Sequence, residues 1–163
     1  MEHFLKIGVL RGHMDRTQVT TITNMCMVYQ ADRVLVLDKI NNEWNGITFP
    51  GGHVERDESL TDAVIREVFE ETGLTIQSPQ LCGVKDWTNE DGSRYMVLFY
   101  KTDQFSGTLR SSDEGEVYWT KVEELPTKAL STDFLDMLKV FTNNDLSEFY
   151  YYKQDGKWCY NLK

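Results

Sequence analysis

Residues 52–74 read GHVERDESLTDAVIREVFEETGL, and the rest of the chain is interpreted outward from this stretch. Leu60, Ala63, Val64 and Val68 recur at helical spacing, which predicts a helix over about 59–72 anchored to a sheet by that apolar stripe. Asp57 and Glu58 put negative charge at its positive N-terminal end, and Gly73 is a C-terminal stop. Positions three and four apart share a helix face, so Glu67 stands beside both Glu70 and Glu71. The three carboxylates are expected to converge on the side facing a cleft. Like charges so placed cost a helix roughly a few tenths of a kcal/mol per pair. Clustered carboxylate oxygens suit a hard divalent cation such as Mg2+. Read from the helix alone, a solvated acidic face is the alternative.

The spacing distinguishes the two. Gly52, five residues, Glu58, seven residues, Arg66-Glu67, Val68, Phe69, Glu70-Glu71, Thr72, Gly73 and Leu74 follow one another without a gap. The pattern resembles the signature box of the Nudix hydrolases, G-x5-E-x7-R-E-U-x-E-E-x-G-U with U a bulky aliphatic. Seven fixed identities and two aliphatic positions agree. A weaker similarity to MutT-type members extends through most of residues 19–142.

Composition is compatible with this. A chain of 163 residues is long enough for one domain with its own core, and 40% hydrophobic with 26% charged residues is ordinary for a globular protein. A net charge of -9 argues against a broad footprint on a nucleic acid polymer or an anionic membrane. It leaves a nucleotide admissible, because a bound metal reverses charge locally. No segment is long enough to span a bilayer, and residues 4–10 are interrupted by Lys6 without a cleavage site. Cys26, Cys82 and Cys159 are odd in number and far apart, so buried free thiols and a reducing, cytoplasmic setting are expected.

In chain order, residues 1–18 lack a clear period and read as a leader, with one domain following over 19–163. Val19–Tyr29 and Arg33–Asp38 are expected strands, the second buried on both faces. After the polar residues 39–45, Pro50-Gly51-Gly52 makes a turn whose backbone can approach a ligand. Strands are expected over 80–87 and 94–102 around an Asp91-Gly92 hairpin loop, with a polar loop over 103–115 and a short strand at 117–120. Leu130–Thr142 has the spacing of a second amphipathic helix. Two aromatic runs around Asp155-Gly156 then form a C-terminal hairpin, packed on the domain itself or on a partner in a homodimer.

Chain order alone gives an α/β or α+β fold. The resemblance implies more: the Nudix fold, a mixed β-sheet sandwiched between helices. It implies hydrolysis of a nucleoside diphosphate linked to a further moiety, dependent on Mg2+ with Mn2+ as a substitute. On that basis Glu70 and Glu71 are primary metal ligands, and Glu67 is a ligand, the general base, or both. Arg66, paired with Glu58, orients carboxylates through charge-assisted hydrogen bonds. The backbone of Gly51 and Gly52 approaches metal or phosphates. MutT-type members have a further glutamate shortly before a strand tryptophan. Glu114, five residues before Trp119, matches it best, with Glu116 in reserve and a solvated acidic loop as the alternative.

The likeness to MutT-type proteins favours a purine nucleoside triphosphate, oxidised ones such as 8-oxo-dGTP included. An ADP-ribose or nucleotide-sugar pyrophosphatase would carry the same box. An RNA 5'-end pyrophosphohydrolase would need a basic patch, which the sequence does not show. A non-catalytic nucleotide-binding module would be expected to have lost box glutamates, and all are present. Trp44, Trp87, Tyr95, Phe99 and Phe134 are the aromatic candidates for stacking on a base.

Overall fold

Alternating apolar residues along the strands send side chains to both faces of a central sheet, and each face is covered by one helix. The structure, a computed structural model, describes residues 17–40 and 45–163. The expected leader therefore falls outside the described residues except for Thr17 and Gln18, and so does most of the 39–45 loop, Trp44 included.

The strands are β1 (Thr20–Gln30), β2 (Arg33–Lys39), β3 (Gly46–Thr48), β4 (Leu74–Ile76), β5 (Gln80–Thr88), β6 (Arg94–Thr102), β7 (Phe105–Gly107), β8 (Gly115–Lys121), β9 (Glu148–Gln154) and β10 (Lys157–Leu162). The α-helices among the described residues are α1 (Leu60–Thr72) and α2 (Phe134–Thr142), and a 3-10 helix spans Val122–Thr127. The main sheet runs β10-β9-β5-β6-β1-β2-β3, with β8 paired to β2. It is mixed, since β1 lies parallel to β6 and β5 parallel to β9 while β5–β6, β2–β8 and β9–β10 are antiparallel.

Period-two alternation fills two cores. Cys26 and Val28 of β1, Leu35 and Leu37 of β2 and Leu98 of β6 pack with Val64 and Val68 of α1. Met27, Val34, Val36 and Phe99 turn the other way, onto Phe134, Met137, Val140 and Phe141 of α2. The sandwich implied by the resemblance is thus present, and β2 is buried on both faces as its apolar run predicts.

Ser59 caps α1 by accepting from the Asp62 amide at 3.0 Å. Ala63, Val64 and Val68 carry the contact with the sheet, but Leu60, expected in that stripe, is 42% exposed because it sits in the first turn, beyond the sheet. The second helix is shorter than expected. Ala129 and Ser131 exchange backbone hydrogen bonds with Ile47, so 129–131 extend the edge at β3, and the chain becomes helical only after Asp133. Within the expected 103–115 loop, β7 pairs with β4 in a two-stranded sheet. Three-residue strands show no period to read. The C-terminal hairpin forms around Asp155 and Gly156, both at positive φ, as a two-residue turn requires. All three cysteines are free, but Cys26 alone is fully buried; Cys82 and Cys159 are half-buried.

Candidate active site

The loop before α1 is laced to β1. The Cys26 amide donates to the Pro50 carbonyl at 2.8 Å, the Asn24 amide to Gly52 at 2.8 Å and the Val54 amide to Ile22 at 3.0 Å. Backbone at Gly51 and Gly52 is thereby fixed beside the helix, and the absence of side chains is what lets it fit. A Cβ on Gly52 would lie 2.5–2.7 Å from the carboxylate atoms of Glu67, and one on Gly51 would lie 2.2 Å from the Asn24 carbonyl oxygen.

Arg66 is the hub of the exposed side of α1. Its guanidinium donates to both oxygens of Glu58 at 2.8 and 2.9 Å, to Glu67 at 2.9 Å, to Glu70 at 3.1 Å and to the His53 carbonyl at 3.0 Å. These bonds hold the Glu58 carboxyl down at about 2 and offset the repulsion expected between Glu67 and Glu70. Burial nevertheless raises Glu67, against the pull of Arg66.

Glu71 does not join that group. Only 2% exposed, it turns toward the loop, where its Oε2 accepts from the Gly51 amide at 2.7 Å. Its Oε1 is buried without a hydrogen-bond partner; the nearest cation, Lys39 Nζ, is 3.7 Å away. Burial pushes this carboxyl up to about 8, against the Gly51 amide and Lys39. The box carboxylates thus have different hydrogen-bond partners, Arg66 for Glu67 and Glu70 and the Gly51 amide for Glu71, while the Glu67 carboxylate also lies against Gly52 of the same loop.

The β2–β8 register brings the acidic loop to Glu71. Lys39 stands opposite Gly115, and the Ile40 amide donates to the Glu114 carbonyl at 3.0 Å. The Glu114 carboxylate lies 3.0 Å from Lys39 Nζ, and that contact lowers its pKa. Burial lowers Lys39, yet the neighbouring Glu114, Glu71 and Glu67 raise it overall. Glu116 pairs with Asp38 farther along the ladder and is exposed.

Among the described residues, no three carboxylate, imidazole or thiol groups stand close enough in this arrangement to enclose an ion; Lys39 and Arg66 contact the carboxylates instead. The donor set still fits a hard divalent cation. It consists of carboxylate oxygens, and buried Glu71 Oε1 lacks the partner such an ion would be.

A cleft of about 390 Å³ lies beside this group. Its lining includes Asn24, Lys39, Gly51 and Gly52 together with Lys85, Trp87 and Tyr95. Trp87 and Tyr95 stack on each other with centroids 4.5 Å apart. Phe99 and Phe134, the other described stacking candidates, are core residues. Sequence reasoning missed Lys39, Asn24 and Lys85. For Lys85 a signal existed, a lysine in an otherwise strand-like run. For Asn24, whose amide is buried with neither atom hydrogen-bonded, none did.

The family model described as NUDIX domain matches residues 20–141. The Nudix hydrolase YvcI of Bacillus subtilis (strain 168) is 37% identical over 114 residues, covering 67% of this chain and 70% of YvcI. Phosphatase NudJ of Escherichia coli (strain K12) is 30% identical over 110 residues, covering 64% of this chain and 70% of NudJ. Among solved structures, a mutator MutT protein from Bacillus halodurans superposes with a TM-score of 0.70 at 29% identity, covering 87% of this chain and 97% of that one.

Proposed function

The chain belongs to the Nudix family, and from that premise we propose that it is a Mg2+-dependent pyrophosphohydrolase of purine nucleoside triphosphates. The products would be a nucleoside monophosphate and pyrophosphate. One observation carries this reading: a single cleft is lined both by Lys39, Gly51 and Gly52, which contact the carboxylates of Glu71, Glu114 and Glu67, and by the aromatic pair Trp87 and Tyr95. A triphosphate and a base need those two environments at once. The MutT name of a structure 29% identical to this chain points the same way.

In this reading Glu67, Glu70, Glu71 and Glu114 hold the metal. Mg2+, when bound, would neutralise phosphate charge and activate water; Mn2+ is the expected substitute. Arg66 fixes the carboxylates of Glu67 and Glu70, leaving Glu71 and Glu114 to be set by Gly51 and Lys39. Glu67 or Glu114 accepts the proton of the attacking water. The backbone of Gly51 and Gly52 admits phosphate oxygens to close range. Residues 19–163 act as one domain preceded by the 1–18 leader. No helix among the described residues is long and apolar enough to cross a membrane, and we place the enzyme in the cytoplasm.

The test is release of pyrophosphate and phosphate, with and without Mg2+, from dGTP, 8-oxo-dGTP, ATP and ADP-ribose at equal concentration. Metal-dependent pyrophosphate from the triphosphates is the expected result. A clear preference for ADP-ribose, or turnover of none, would overturn it.

A further inference from the structure

Next to Trp87 and Tyr95 the cleft opens into a second space of about 570 Å³, walled in part by Tyr151 and Trp158 of the C-terminal hairpin. Those two strands lie beyond residues 20–141, the extent of the family match. Two opposite charges border the space, Lys85 and Asp133.

Both are short of partners. Lys85 is 9% exposed, and its ammonium has one hydrogen-bond acceptor, the Met137 sulfur at 3.5 Å. Aromatic faces surround the rest: Tyr151 at 4.8 Å, Phe149 at 5.0 Å and Trp87 at 5.9 Å. Asp133 Oδ2 is buried with no hydrogen-bond partner, although Asp133 stands at the N-cap of α2 where such a side chain ordinarily accepts from the helix. Its backbone is left-handed, φ 59°, which puts it outside the usual cap geometry. Burial lowers Lys85 to about 8 and raises Asp133, while each charge partly counters the other's shift. A donor ringed by aromatic faces and an acceptor on the wall of the same cavity complement a flat ligand whose edge carries acceptors next to donors.

We propose that this hairpin-walled cavity is a nucleobase subsite, in which Lys85 donates to O6 and N7 of an unmodified guanine while Asp133 accepts from its N1–H and N2–H. The assignment rests on the nucleotide reading given above. Guanine presents two adjacent acceptors followed by two adjacent donors, which suit an ammonium and a two-oxygen carboxylate in that order. Adenine would turn its N6 amino group toward the ammonium and its N1 lone pair toward the carboxylate. In 8-oxoguanine N7 carries a proton and becomes a donor, so it opposes Lys85. The subsite therefore selects the intact base over the oxidised one.

The experiment compares kcat/KM for dGTP, 8-oxo-dGTP and dATP in the wild type, Asp133→Asn and Lys85→Met, alongside calorimetric binding of GMP and AMP. Asparagine tolerates the left-handed backbone, so Asp133→Asn should keep the fold. The expected wild-type preference for dGTP over dATP is about 10- to 100-fold, the range of one good base contact, and Asp133→Asn should erase most of it. Lys85→Met should bring 8-oxo-dGTP level with dGTP. Turnover of triphosphates without base preference, a preference that Asp133→Asn leaves intact, or wild-type preference for 8-oxo-dGTP would overturn the subsite and leave the activity standing. If no triphosphate is turned over, yet GMP binds more tightly than AMP only while Asp133 is present, the subsite stands and the proposed activity falls. No turnover together with equal binding of GMP and AMP overturns both.

Discussion

The Gly51 amide donates a 2.7 Å hydrogen bond to Glu71 Oε2, twenty residues along the chain, and so fixes the one box carboxylate that is fully buried. The loop thus positions the helix's side chain, and the remaining oxygen of that carboxylate has no hydrogen-bond partner. Glu71→Gln keeps an oxygen for Gly51 but cannot supply an anionic ligand to the metal. Its fold should survive, with a melting transition close to that of the wild type. Turnover with Mg2+ should fall at least about 100-fold, the scale of losing one electrostatic contact to the reacting group. A glutamine variant that remains fully active would remove Glu71 from the site.

Glu114 and Glu116 separate cleanly. Glu114 reaches Lys39 beside Glu71, while Glu116 is exposed opposite Asp38. Glu114→Gln should lower kcat/KM by about 10-fold or more, as for loss of a group that supports a metal site, and Glu116→Gln should change it little. The opposite ranking in steady-state kinetics would transfer the role to Glu116.

Gly52→Ala tests the close approach of loop and helix. The added Cβ would meet the far end of the Glu67 side chain at 2.5–2.7 Å, and that side chain can swing aside without unfolding the helix. Circular dichroism should therefore show a folded protein. Activity should drop about 100-fold, because a displacement of about 1 Å at the reacting groups has that effect. An alanine variant with wild-type kinetics would show that the Glu67 position is not used.

Lys85 gives a pH dependence of stability. Burial lowers its pKa from 10.5 to about 8, with Asp133 the charge that opposes the shift and Tyr151 the titratable ring packed on it. Between those values the unfolded chain binds more protons than the folded one, so stability rises with pH across that window. Below about 8 both states are protonated and the full cost of burying the charge is present. Lys85→Met carries no such charge, so its stability advantage over the wild type should shrink from about pH 8 to 10.5, by up to on the order of 3 kcal/mol. Urea midpoints of the two proteins along that range are the measurement. A constant or widening gap would contradict the lowered pKa of the buried lysine.

The box helix with its Gly73 stop, the strands β1, β2 and β6 and the C-terminal hairpin were legible in the sequence because each depends on local composition, period or turn chemistry. So was the family resemblance, carried by residues at fixed spacing along one segment. The start of α2 was not, because Leu130 has helical spacing with Phe134, and only the open edge at Ile47 draws residues 129–131 into strand pairing. The candidate site was half legible. Spacing puts Glu67, Glu70 and Glu71 on one side of a helix, but it is blind to which way each carboxylate turns.

For Glu71 that choice belongs to the tertiary structure. Arg66, on the same helix, holds Glu67 and Glu70, but the Gly51 amide draws Glu71 inward, and the antiparallel register of β2 and β8 delivers Lys39 and Glu114 beside it. Lys85 and Asp133 likewise meet only because β5, the start of α2 and the hairpin border one cavity. Sequence by itself determined the elements and their chemistry, through interactions that reach three or four residues along the chain. The directions in which charged side chains point were decided by partners up to dozens of residues away, where charge and burial, rather than local period, fix the lowest free energy.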